Sequence, residues 1–161
     1  MENKTDADTS QYPSVDLAYD FVKSSYDWMV TRFEAINSKI QGLLTFAATI
    51  TAALPIIAKA IFSDTNFSSP CFYVAMAAFV FLVITGIAGL RIGSITLLSP
   101  KMLYDKYLHY SHWEFKQMVI YWAGEHFNEN KKLIDKKAYF RDTMTVFLLM
   151  EILCICLWIV K

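Results

Sequence analysis

Apolar and polar positions are organised along this chain on two scales. On the coarse scale, three long apolar runs stand between charge-rich stretches: Gly42 to Phe62, Cys71 to Leu98 and Thr143 to Val160. A helix that crosses a bilayer needs about 20 mostly apolar residues. The first two runs meet that length with one charge each, Lys59 and Arg91. The third is shorter and carries Glu151. Beside two firm spans, and with Trp158 near its end where an interface would lie, it reads as a third crossing. On the fine scale, Val15, Tyr19, Val22, Tyr26, Met29, Phe33, Ile36, Ile40 and Leu43 follow one another by fours and threes. That spacing is a heptad seam on a helix.

The expected fold is an all-α membrane protein, with three transmembrane helices and a cytoplasmic helical bundle built from the amino-terminal helix and a helical hairpin. An acidic, polar tail over residues 1–13 has the composition of a disordered segment. An amphipathic helix over 14–41 follows, started by Pro13 and Ser14 with Asp16 and Asp20 in the first turns, where the helix dipole favours acids. No Pro or Gly interrupts it before Gly42, so it is expected to run unbroken into the span at 42–62. Its stripe can pack on the chain's own helices, associate across subunits, or do both. Residues 63–70 form a short exterior hairpin, and 71–98 the second span. Over 99–142 the expectation is two helices, the first capped by Ser99 and Pro100 and stopped at Gly124. The second places Phe127, Ile134 and Ala138 on one face and leads into the span at 143–160.

Charge gives the orientation. Lys4, Lys23, Arg32 and Lys39 precede the first run, and eight basic residues from Lys101 to Arg141 lie between the second and third. Lys59 and Lys161 are left for the other side. The basic excess belongs in the cytoplasm, which puts the amino terminus and 99–142 inside and the carboxyl terminus outside, as for a multi-pass inner-membrane protein. Net charge is zero, with 55% hydrophobic and 19% charged residues; nothing global points to nucleic acid. The start of the chain lacks the apolar core of a signal peptide. Cys71, Cys154 and Cys156 lie in or at the edges of the runs, against a disulfide framework or a metal cluster.

No glycine-rich phosphate loop, nucleophile elbow or zinc motif is present, so neither an enzyme nor a cofactor is expected. His109 and His112, three apart on one expected helical turn, are too few for a metal site. The aromatics from Tyr104 to Trp122 are expected in the core or at the membrane interface. The basic run from Asn128 to Lys137 reads as a solvated face near lipid headgroups, with Lys39, Asn130, Lys132, Lys136 and Lys137 as candidate ligand or headgroup contacts. Within the spans, Thr85, Gly89 and Gly93 recur every four residues beside Gly86, a spacing that lets helix backbones approach closely. Pro55 removes one backbone donor from the first span. Glu151 lies roughly 12 Å along its span at the helical rise, too deep to snorkel. It is expected to pack against protein or to line a pore, with Arg91 and the threonines of the first span, Thr45, Thr49 and Thr51, as partners.

Two stretches carry a family resemblance. "INSKIQGLLTFAATITAALP", with Lys39, and the region from Leu98 to Met144, with Asn130 and Lys136, resemble small bacterial antiphage membrane effectors, the Pycsar transmembrane effector family and its SLATT-like relatives. Asn37, Ser38 and Gln41 stand where that family usually has aspartate and glycine. The resemblance implies a homo-oligomeric effector that permeabilises the membrane on a cytoplasmic signal, a cyclic nucleotide or a partner protein. The other class compatible with the residues is a membrane anchor or sensor subunit that makes no pore and holds a cytoplasmic partner.

Overall fold

The computed structural model describes residues 13–61, 69–97, 99–107 and 109–160. These form four helices and, among the described residues, no strand: α1 Val15–Ile61, α2 Pro70–Arg91, α3 Pro100–Tyr107 and α4 His112–Val160. α1, α2 and α4 are each long and apolar enough to cross a membrane. The acidic tail before Pro13 and most of the expected exterior hairpin lie outside the described residues.

α1 fulfils the expectation of one unbroken rod. The amide of Ala18 bonds the carbonyl of Ser14 at 2.9 Å as its first turn closes. The helix then passes Gly42, where an added side chain would meet nothing, and Pro55. Pro55 has no N–H, so it cannot donate to the carbonyl of Thr51 four residues earlier.

α4 departs from expectation. Helix is continuous from His112 through Gly124 to Val160, and the turn lies at His109–Ser111 instead. Glycine commonly ends helices, which is the ground for expecting a stop at Gly124. Here it is exposed and its neighbours are good helix formers, so nothing ends the hydrogen-bond ladder. The start is fixed by a reciprocal cap. The amide of Ser111 donates to Glu114 Oε2 at 2.9 Å, and the amide of Glu114 donates to Ser111 Oγ at 3.3 Å. This is a capping box of the form S-x-x-E. His109 therefore sits in the turn and His112 opens the helix, so the two do not share a helical turn.

The second apolar run is also shorter as a helix than as a sequence. α2 stops at Arg91, and Ile92 adopts extended angles (φ −66°, ψ 108°). Gly93 has φ 27°, a conformation that side chains other than hydrogen rarely adopt. Residues 93–97 are non-helical. Gly93 thus belongs to the break and not to a packing seam.

The chain divides into two units, Met1–Phe33 with Ser94–Ile134, and Glu34–Gly93 with Asp135–Lys161. In the first, α1 and α4 pair through Tyr26 and Trp122, whose rings lie 6.1 Å apart, and through Asp16 and Lys116. In the second, α2 packs on both long helices. A side chain added at Gly86 would come within 2.7 Å of Leu44 and 2.8 Å of Met144; at Gly89 it would meet Phe140 at 3.1 Å and Ile40 at 3.3 Å. The close approach expected of a small-residue seam is therefore made at Gly86 and Gly89. Further along, Leu54, Ala58, Ala75, Ile155 and Trp158 form a buried cluster. The opposite faces, with Val80, Phe81 and Ile84 on α2 and Val146, Leu149 and Leu153 on α4, are exposed and apolar, as a lipid-facing surface would be.

Candidate functional site

The site is best built from the repeat of α4. Its buried residues are Ala123, Asn130, Ile134, Lys137, Met144, Leu148, Glu151, Ile155 and Trp158, separated by three, four or seven. One position of this heptad, read every seventh residue from Lys116, holds Lys116, Ala123, Asn130, Lys137, Met144, Glu151 and Trp158. Four of the seven are polar. Three of those are almost fully buried: Asn130 at 2%, Lys137 at 1% and Glu151 at 1% exposure. A core position filled by polar groups is costly unless each finds a partner.

The partners come largely from α1, at a constant offset. Lys116 Nζ donates to Asp16 at 2.6 Å, Lys137 Nζ to Asn37 Oδ1 at 2.8 Å, and Thr51 Oγ1 to Glu151 Oε1 at 2.8 Å; in each pair the residue numbers differ by 100. A constant difference requires parallel helices, since antiparallel helices would keep the sum constant. Parallel pairing of the first and last of three long helices is what an up-down-up chain produces, because two reversals restore the original direction. The polar layers fix register as well. A slip of one residue would turn each group about 100° away from its partner.

Asn130 does something different. Its Oδ1 accepts from the Thr96 amide at 2.9 Å, its Nδ2 donates to the Thr96 carbonyl at 3.1 Å, and Nδ2 also reaches the Tyr26 hydroxyl at 3.5 Å. The end of α2 leaves the segment after it without helical hydrogen bonds, so its backbone groups are open to other partners. The Asn130 amide acts as such a partner by presenting a peptide-like donor and acceptor. Burial raises the Tyr26 phenol above its usual range, while the Asn130 contact works the other way.

Glu151 is the least satisfied member. Oε1 has the Thr51 hydroxyl, and Oε2, buried, has no hydrogen-bond partner among the described residues. A carboxyl left half-paired in an apolar bundle costs on the order of 1–3 kcal/mol, more if ionised. Burial lowers the pKa of Lys137, because removing the ammonium from water disfavours its charged form.

Of the three first-span threonines expected as partners of Glu151, Thr51 meets it. Thr45 and Thr49 are exposed, and the Thr49 hydroxyl bonds back to the Thr45 carbonyl at 2.8 Å. Arg91 is exposed at the end of α2 rather than paired with Glu151. Of the basic run, Lys132 and Lys136 are exposed, whereas Asn130 and Lys137 are core residues and not part of a solvated face. Lys39 is exposed and lines a cleft with Arg141. Asn37, Thr51, Asp16 and Lys116 are site residues that sequence reasoning missed or left in a supporting role. The available signal was the recurrence of polar residues every seventh position in α4. No group of three or more metal-ligating side chains occurs among the described residues.

Comparison with protein-family models, with curated proteins and with solved structures gave no match. What the chain is therefore rests on its own residues: an all-helical protein with three helices fit to span a membrane, and a column of buried polar groups along α4.

Proposed function

We propose that this chain is a bacterial inner-membrane effector of antiphage defence that oligomerises and permeabilises the membrane when a cytoplasmic signal, a cyclic nucleotide or a partner protein, alters its packing. One observation carries the reading: the polar column of α4 continues into an apolar, span-length segment and ends there on Glu151, whose second oxygen is buried and unpaired. Ionisable residues inside spans are expensive and tend to mark conducting or switching positions. On this reading the parallel α1 and α4 segments, held by polar layers, serve as the switching element. The same repeat can pair within a chain or, in the same register, between chains, which would turn Lys137 and Glu151 toward a shared aqueous axis. The excess of basic residues before the first run and over 99–142 supports a cytoplasmic amino terminus and an exterior carboxyl terminus. The defence role rests on the resemblance carried by Lys39, Asn130 and Lys136.

A second reading is a non-pore anchor or sensor subunit. It is favoured by Leu17, Phe21 and Trp28, which stand 74%, 72% and 57% exposed on the part of α1 that precedes the apolar run, where a partner could dock. Induced expression with a membrane-potential dye separates the two. The effector reading expects depolarisation and growth arrest that Glu151→Gln abolishes at unchanged membrane abundance. A silent phenotype in the native chain, with a stoichiometric partner on purification, would establish the anchor instead.

A further inference from the structure

Where the first and third apolar runs begin, α1 and α4 leave a cleft of about 330 Å³ between them, lined by Lys39, Gly42, Leu43, Phe46, Arg141 and Thr145. All six belong to the second unit. The rim is cationic. Lys39 is exposed, and Arg141 spends Nε and Nη2 on Asp142 Oδ1, at 2.8 and 2.6 Å, which leaves further guanidinium N–H donors for a ligand. With Asp142 counted, the rim keeps one net positive charge. The floor is apolar: Leu43 is half-buried and Phe46 is 53% exposed. Gly42 keeps the cleft open, since a side chain added there would meet no atom within 4 Å.

We propose that this cleft holds one anionic glycerophospholipid, with the phosphodiester against Lys39 and Arg141 and the start of an acyl chain along Leu43 and Phe46. A soluble phosphate ester could satisfy the two cations, but it would leave the aromatic floor in water. A lipid covers both, and the rim lies where the charged stretches give way to apolar runs, the depth of a headgroup. The polar column of α4 is not needed for this site. The inference rests only on the chain lying in a bilayer.

The test uses the full chain in a neutral detergent, with phosphatidylglycerol or phosphatidylcholine added and retained lipid read by native mass spectrometry. Phosphatidylglycerol adducts are expected to outlast phosphatidylcholine ones. Their apparent affinity should fall by roughly tenfold or more in Lys39→Gln/Arg141→Gln, and equally in Gly42→Leu, which places bulk in the lining at a position whose Cβ meets no atom within 4 Å. Lys101→Gln/Lys106→Gln, which removes two exposed lysines elsewhere, should change nothing. The site is overturned if the cleft variants retain the lipid, if the control variant loses as much, or if glycerol 3-phosphate displaces the lipid at equal concentration. A chain that stays dispersed without detergent and binds no vesicle fails one level lower, at the membrane reading itself. A chain that inserts but prefers no lipid fails only here.

Discussion

Lys116 and Lys137 occupy the same position of the α4 repeat, three heptads apart, and each reaches the α1 residue numbered 100 lower. Their surroundings differ completely. Lys116 is 15% exposed beside the Tyr19 ring, and its partner Asp16 is a carboxylate 78% exposed to water. Lys137 is 1% exposed, and its partner Asn37 is a neutral amide. In the first unit solvent supports both charges, and the ion pair adds little beyond what water supplies. In the second the ammonium has given up water for the Asn37 carbonyl and the other contacts around it. One geometric rule thus produces a weak contact in one place and a costly, specifying one in another. Burial sets the energy and register only sets the address.

If burial and not membership of a unit sets the cost, then the buried layer of the first unit should be as unforgiving as those of the second. Asn130→Leu removes both bonds to the Thr96 backbone, and at about 0.5–1.5 kcal/mol for each hydrogen bond lost it should give a loss comparable with that of the Lys137 layer, read as a fall in thermal stability of the detergent-solubilised chain. Asn130→Asp keeps the acceptor and should lose less.

The second test acts on the Lys137 layer. Asn37→Leu alone should cost about 2–3 kcal/mol, since hydrogen bonds to charged groups are the strong ones. Adding Lys137→Met should recover most of that loss, because replacing a whole buried polar pair by apolar groups is often neutral. The same layer has a pH signature. Burial makes the folded chain release the Lys137 proton more readily than the unfolded chain does. Stability should therefore rise with pH between the lowered value and the ordinary lysine value of about 10.4. The rise should vanish in Lys137→Met.

The smallest effect belongs to Asp16 and Lys116. Lys116 holds the Asp16 carboxyl below its usual range, first through the hydrogen bond and then through its charge. Any stabilisation is present above the ordinary aspartate range and is lost as pH falls through it. Asp16→Asn should shift unfolding slightly at low salt and not at all at 1 M salt, where exposed charges are screened. A shift that survived high salt would mean the two lysines are more alike than their exposure implies.

Much of the architecture was legible in the residues. The fours and threes from Val15 to Leu43 mark the α1 face on which Met29, Ile36 and Ile40 are buried, and the absence of breakers before Gly42 implied the unbroken rod. The seam of α4 was hidden by its own chemistry. A hydrophobic pattern looks for apolar residues at the core positions, and there the core positions hold Lys116, Asn130, Lys137 and Glu151. Gly124 misled for a related reason: a glycine signals a stop only when the next residues offer a turn, and the actual turn was signed by the cap "SHWE" at Ser111. The break after Arg91 could not be read from hydropathy at all, because Ile92, Ile95 and Leu97 are as apolar as the helix before them. The segment after it is bonded at Thr96 by an asparagine 34 residues away in sequence.

The tight meeting at Gly86 has a bearing on stoichiometry. With the flanking helices already within side-chain reach of that α carbon, one molecule encloses no lumen at this level wide enough for a file of water. On the proposed effector reading, a conduit for ions would be assembled from the outer walls of several molecules, and leakage would then scale with a power of protein density greater than one.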